Sequence, residues 1–168
     1  FNSLPSNQHW ESFTLDYYSK LFSDSEMIQV LINSLTLAVI STLAAIFIGT
    51  LGAYALCRLK FKGRSFLNFM VFVPMVIPEI VIAVAFLGLT GAAGISKGFG
   101  VMVCAHTIFI LPYIIVTLKS RFADYDVSIE EASLDLGANQ IYTFIHIICP
   151  MILPGIFTGG LMAFSLSF

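Results

Sequence analysis

The stretch 128-SIEEASLDLGANQIYTFIHIICP-150 stands between two strongly apolar blocks, and its reading decides how the chain is organised. Three acids, Glu130, Glu131 and Asp135, fall within six residues. Ser128 and Glu131 have the S-x-x-E spacing of a capping box, which predicts a helix starting at Ser128. Glu130 and Glu131 then lie in its first turn, where acids complement the helix dipole. Ile129, Ala132, Ser133 and Leu136 form one small, weakly apolar face. Gly137 suits the left-handed position that ends such a helix. Asn139 can cap a second helix with Ile141, Phe144, Ile145 and Ile148 on its apolar face, ended by Pro150. The first helix has only about two turns and is marginal alone in water. It is either a capped connector packed on its own membrane domain or a knob seated in the groove of a partner.

Working outward, the solvent of the chain is lipid. Of 168 residues, 58% are hydrophobic and 11% charged, against about 25% charged in a soluble domain. Mean hydropathy is +0.92. The net charge of −2 gives no support to nucleic-acid binding. Residues 1–26 are polar and aromatic, and Trp10, Phe13, Tyr17, Tyr18 and Phe22 suit the headgroup level. Residues 27–57 carry no charge and form a first span. The loop RLKFKGR (58–64) follows, then a second span at 65–90 interrupted by Pro74, Pro78 and Glu79. A short loop, 91–98, leads to a third span at 99–118, which contains Pro112. Residues 119–150 form a long polar connection, and 151–168 begin a fourth span. The ends of the chain, with no initiator Met and an apolar run still open at Phe168, are those expected of a fragment cut inside a transmembrane helix.

Topology follows from the cations. The loops 58–64 and 119–150 together hold six Lys or Arg, against Lys20 and Lys97 on the other side. The positive-inside rule therefore places both loops in the cytoplasm and residues 1–26 and 91–98 outside.

With that topology, the opening stretch resembles the EAA loop of ABC-importer permeases: E-A-A, three residues, G, nine residues, I, one residue, L-P. Glu131-Ala132-Ser133 stands for the first part, Gly137 follows at the right spacing, and Ile147 and Pro150 close the motif. Ser133 replaces the second Ala and Cys149 the Leu. FTLDYYSKLF (13–22), NSLTLA (33–38), RLKFKGR (58–64) and SRFADYD (120–126) are similar to the spermidine/putrescine branch. The resemblance implies an all-α integral membrane protein, a type I ABC-importer permease bundle in one domain. This fragment has about four transmembrane helices, the last truncated, and a cytoplasmic coupling helix. It implies that Glu131, Ala132 and Gly137 couple to an ATPase, with Glu130, Ser133 and Asp135 at the same interface. The implied partners are an ATPase dimer, a second permease subunit, an extracytoplasmic substrate-binding protein and the lipid bilayer of the bacterial inner membrane. The chain is then no enzyme itself and binds no cofactor, since ATP and Mg belong to the ATPase. Transport is by alternating access.

Glu79 lies inside the second span, where an ionised side chain costs roughly 2.5–3.5 kcal/mol at mid-bilayer. Pro78 cannot donate to the carbonyl four residues back, so a kinked or broken helix is expected there. Irregular backbone at that depth is tolerated beside a cavity or inside protein. Related permeases resemble this one in having an acid after the proline. A carboxylate with aromatic walls suits a linear polycation such as a polyamine. The competing reading is a protonated Glu79 bonded to a neighbouring helix, or one near the outer interface. Tyr113, beside Pro112, is a second and weaker member of the substrate path.

Other patterns say little. GAAGISKG lacks the order of a phosphate loop. Gly155-x-x-x-Gly159 can bring two helices close. His9, His106 and His146 are scattered, and Cys57, Cys104 and Cys149 have neither zinc nor disulfide spacing. Two rivals remain: an ion-coupled secondary transporter or channel subunit, which explains Glu79 but not the acidic unit, and a structural or assembly membrane protein, which explains the spans but makes the kinked, acid-bearing helix an unneeded cost.

Overall fold

Long charge-free runs become long helices because lipid leaves every backbone polar group to be satisfied within its own helix. The computed structural model describes residues 12–168, so Trp10 and His9 lie outside the described residues. The described residues fall into two units with a boundary after Thr36. In the first, α1 (Asp16–Ser23) precedes the start of α2 (Ser25–Arg58). Each helix begins on a side-chain acceptor. Thr14 Oγ1 accepts the Asp16 N–H, and Asp24 Oδ1 accepts the N–H groups of Glu26 and Met27 at 3.0 and 3.3 Å.

The second unit holds the rest. The end of α2 is closed by Arg64, whose Nε and Nη2 donate to the carbonyls of Leu56 (2.7 Å) and Cys57 (3.3 Å). These are last-turn carbonyls with no partner inside the helix. α3 (Arg64–Val76) and α4 (Glu79–Ala92) meet at a bend of 108°. Ile77 and Pro78 are both extended, as expected of a proline and the residue before it. The second span is therefore broken at Pro78, whereas Pro74 is carried inside α3.

α5 (Phe99–Asp124) forms the axis of the core. Its Ile110, Ile114 and Leu118 are fully buried. A stripe on α2, Ala38, Ser41, Ala45, Gly49 and Ala53, is buried along one face. Ile152 and Ala163 of α8 (Cys149–Ser167) join the same core. Lipid is as apolar as these side chains, so cohesion comes from close approach and dispersion rather than from escape from water. Gly49 shows how close the approach is, since a Cβ there stands 2.7 Å from Ile114 Cγ2. Of the pair singled out, Gly155 does the same against Arg121 and Leu118 of α5, whereas a Cβ on Gly159 makes only ordinary contact with Thr117 and Ile114.

Three boundaries differ from the sequence expectation. α5 continues six residues past Leu118, because Lys119 and Arg121 are good helix residues and Lys119 Nζ is held by Asn68 Oδ1 of α3 at 2.6 Å. The fourth apolar helix starts at Gln140, not at Met151, and runs to Ser167 as one span. Pro150 does not end it. Between α7 (Gln140–Thr143) and α8 the helix makes a π turn at Phe144–Ile148, and the Cys149 N–H bonds the Phe144 carbonyl. That shift restarts the α-helix so that Pro150 falls in its first turn, where a missing N–H costs little. The connector between spans thus shortens to residues 125–139. Among the described residues three helices are long and apolar enough to cross a membrane, and the bent α3–α4 pair makes a fourth if it counts as one span.

Candidate functional site

The connector is built around α6 (Ser128–Asp135). Its N-terminus is made by Asp126 rather than by the expected Ser128–Glu131 capping box. Val127 already has helical dihedrals (φ −61°, ψ −26°), so Ser128 stands inside the first turn. Asp126 Oδ1 accepts the Ser128 N–H at 3.0 Å, which holds the Asp126 carboxyl below the usual carboxylate range. The C-terminus is as expected. Gly137 has φ +92°, the Ala138 N–H reaches the Ser133 carbonyl at 3.1 Å, and the Gly137 N–H reaches that of Leu134 at 2.9 Å. This pair of bonds is a Schellman motif. Asn139 caps α7, its Oδ1 accepting the Tyr142 N–H at 2.8 Å.

The faces of α6 differ from the expected pattern. Ile129, Ala132 and Leu136, read as a packing face, are exposed, Leu136 by 90%. The side that packs carries Glu130 and Ser133, which are buried. Glu130 Oε1 accepts a charge-assisted bond from Arg58 Nε at 2.9 Å. The Ser133 and Thr143 hydroxyls are 2.9 Å apart. Glu131, Ala132 and Asp135 are exposed on the opposite side. Of the six residues proposed for coupling, two therefore have their side chains engaged within the chain and three face outward, with Gly137 shaping the end. Next to them Leu136, Gly137, Asn139, Tyr142 and Ile147 border an open groove of about 500 Å³. Tyr142 stacks on His146 with ring centroids 4.1 Å apart.

The second helix also departs from its reading. Ile141 and Ile145 are exposed, while Thr143 and Ile148 are buried. The π turn widens the repeat at Phe144–Ile148, so a face counted at 3.6 residues per turn loses register there.

Glu79 is the first residue of α4, immediately after the break, and is exposed. It borders a cavity of about 230 Å³ with Phe86, His106 and Phe109 among its walls. His106 Nδ1 is 2.9 Å from Ser167 Oγ, which joins α5 to the end of α8. Tyr113 is not on this wall. It is half-buried one turn further along α5, its ring edge-on to Phe109 at 6.0 Å. The cavity thus brings together an acid, an imidazole and two aromatic rings, a set able to hold an organic cation. Among the described residues no three His, Cys, Asp or Glu side chains are grouped as metal ligands.

Arg58, Asp126, Thr143 and His106 were missed as site residues. Arg58 carried a signal, since it is the one cation of RLKFKGR that directly ends a span, yet it was read for topology alone. Nothing local marks the partners of Thr143 or His106, which lie 10 and 61 residues away.

Comparison with known proteins agrees with this architecture. The family model described as "Binding-protein-dependent transport system inner membrane component" matches residues 42–168. The spermidine/putrescine transport system permease protein PotC of Escherichia coli (strain K12) is 39% identical over 167 residues, covering 99% of this chain and 63% of that protein. The putrescine transport system permease protein PotI of the same strain is 35% identical over 174 residues, covering 99% of this chain and 62% of that protein. The chain thus spans less than two thirds of the length of these relatives. Among solved structures, a bacterial ABC transporter that imports the acidic polysaccharide alginate superposes with a TM-score of 0.73 at 19% identity, covering 89% of this chain and 52% of that one. With the family match, that likeness shows the fold of a type I importer permease bundle.

Proposed function

The chain belongs to the family of binding-protein-dependent transport system inner membrane components, and from this premise we propose that it is the permease subunit of an ATP-driven importer that carries polyamines into the cytoplasm. It is a multi-pass protein of the bacterial inner membrane. The observation that carries the substrate reading is the 39% identity to a spermidine/putrescine permease over nearly the whole chain.

In this reading α6 is the docking helix for an ATPase dimer. Its outward Glu131, Ala132 and Asp135, followed by the exposed Leu136, form the contact face. Sidedness follows from Arg58, Lys60, Lys62, Arg64, Lys119 and Arg121, which flank α2, α3 and α5 at one set of helix ends, the cytoplasmic one. Arg58 bonds Glu130 at 2.9 Å and Lys119 bonds Asn68 at 2.6 Å, so α6 lies at the same helix ends as the 58–64 loop. A second permease subunit completes the cavity, an extracytoplasmic binding protein delivers substrate, and ATP-driven movement at α6 switches the side to which the cavity opens. ATP and Mg stay on the ATPase.

Glu79 and the aromatic walls beside it supply the cation contact, with Tyr113 buttressing Phe109 from behind. The test is ATP-dependent uptake of labelled spermidine and putrescine by the complete importer in proteoliposomes. Glu79→Gln lowers uptake about tenfold or more, the weight of one charge-assisted contact, and leaves complex assembly unchanged. Polyamine uptake equal to wild type removes Glu79 from the path. A wild-type importer that takes up another solute but no polyamine overturns the substrate.

A further inference from the structure

Two adjacent acids open α6, and a step of about 100° per residue sends them to different sides of the helix. Glu131 faces out, while Glu130 turns in and meets Arg58, the last residue of α2, 72 positions earlier. The side chains of this pair are only 16% and 12% exposed. Arg58 is held on further sides as well. Its Nη2 donates to the Phe122 carbonyl at 3.4 Å, and its guanidinium lies 4.6 Å from the centre of the Tyr125 ring and 5.6 Å from that of Phe122. One side chain therefore joins three elements: the end of α2, the end of α5 with the residue after it, and the first turn of α6.

We propose that Arg58 is the positioning residue of α6, and that the Arg58–Glu130 pair is the strut through which displacement of α6 reaches α2. This rests on the reading of α6 as the docking helix. A helix of two turns is marginal alone, so force applied to its outer face moves the membrane domain only through its inner ties. Ser133–Thr143 ties α6 to α7, its neighbour in sequence. Arg58–Glu130 ties it to a long helix from the far side of the sequence. Low exposure keeps such a pair little screened by salt and water. Only a planar guanidinium satisfies a carboxylate, a carbonyl and a ring face together, whereas an ammonium acts as a point charge. Glu130 is therefore a member of the strut, and the ATPase contact falls to Glu131, Ala132 and Asp135.

The test uses the complete importer in proteoliposomes and reads polyamine moved per ATP hydrolysed, together with hydrogen exchange of the α6 amides. Arg58→Gln and Glu130→Gln each leave one unpaired charge, and each lowers the transport ratio about tenfold and speeds α6 exchange. The double Gln variant, with no unpaired charge, recovers part of both, as coupled residues do. Arg58→Lys is intermediate. Loss of the ratio in Gly137→Val but not in the two Gln variants overturns the strut alone. An unchanged ratio in all three overturns the docking reading and the strut with it. Faster α6 exchange with an unchanged ratio also overturns the strut, because the pair is then merely structural. If the Gln variants fail to insert, Arg58→Lys decides: a wild-type ratio overturns the proposal.

Discussion

Replacing Gly137 in a graded series separates backbone strain from loss of surface fit at the end of α6. Gly137 has φ +92°, and a Cβ placed on it meets no other heavy atom within 4 Å. A substitution therefore clashes with nothing in the chain, and its cost is conformational. An L-residue in the left-handed region costs roughly 1–2 kcal/mol, less for Asn, whose side chain bonds locally, and more for a β-branched residue. What is lost is the end of α6, where the Ala138 and Gly137 N–H groups satisfy the Ser133 and Leu134 carbonyls. At about 1.4 kcal/mol per factor of ten, Gly137→Ala raises hydrogen exchange of the Ala138 amide about tenfold. Gly137→Asn raises it less, about threefold, and Gly137→Val more than Ala. Transport per ATP falls in the same order, with membrane insertion unchanged. Size alone predicts a different order, since Asn is larger than Ala and would be the worse of the two in a tight docking groove. Exchange and uncoupling greater for Asn than for Ala would refute the strain argument and point to the groove.

Two other substitutions test the packing that carries the site. Gly49→Ala places a methyl 2.7 Å from Cγ2 and 3.2 Å from Cβ of the fully buried Ile114, an overpacking of about 1–3 kcal/mol. Gly52→Ala, 3.6 Å from Ile115 Cδ1, is an ordinary contact. The midpoint of thermal unfolding in detergent falls for the first and not for the second, and equal midpoints would contradict so close an approach of α2 to α5. Ser133→Ala strands the buried Thr143 hydroxyl and destabilises the connector by about 1–3 kcal/mol, while adding Thr143→Val restores most of it. A double variant no better than the single one would show that the hydroxyl pair is not coupled.

The departures from the EAA pattern take on a meaning only in three dimensions. Ser133 stands where the motif has Ala, yet it lies on the packed side of α6 with a hydroxyl partner, so the change leaves the exposed face untouched. Cys149 stands where the motif has Leu, at the restart of the α-helix after the π turn and half-buried. The expected capping box failed for a local reason. Ser-x-x-Glu spacing is compatible with more than one start, and Asp126, two residues earlier, offers a carboxylate that the Ser128 N–H takes instead.

What could be read from the chain alone was what depends on neighbours in sequence. Hydropathy over some twenty residues marks a span, because lipid forces the backbone to close its own bonds. Pro78 breaks a helix because its nitrogen has no hydrogen, and Gly137 and Asn139 close and open helices through bonds that reach no more than five residues. The side of α6 that docks on its own membrane domain was not legible in this way. Glu130 and Glu131 are the same residue side by side, and only the arrival of Arg58 from 72 positions away buries one in an ion pair and leaves the other exposed. The same holds for Glu79, whose neighbours in the cavity, His106 and Phe109, come from a different helix. Local bonds set where helices start, stop and break, whereas packing between distant helices decides which side chain meets a partner and which meets the core.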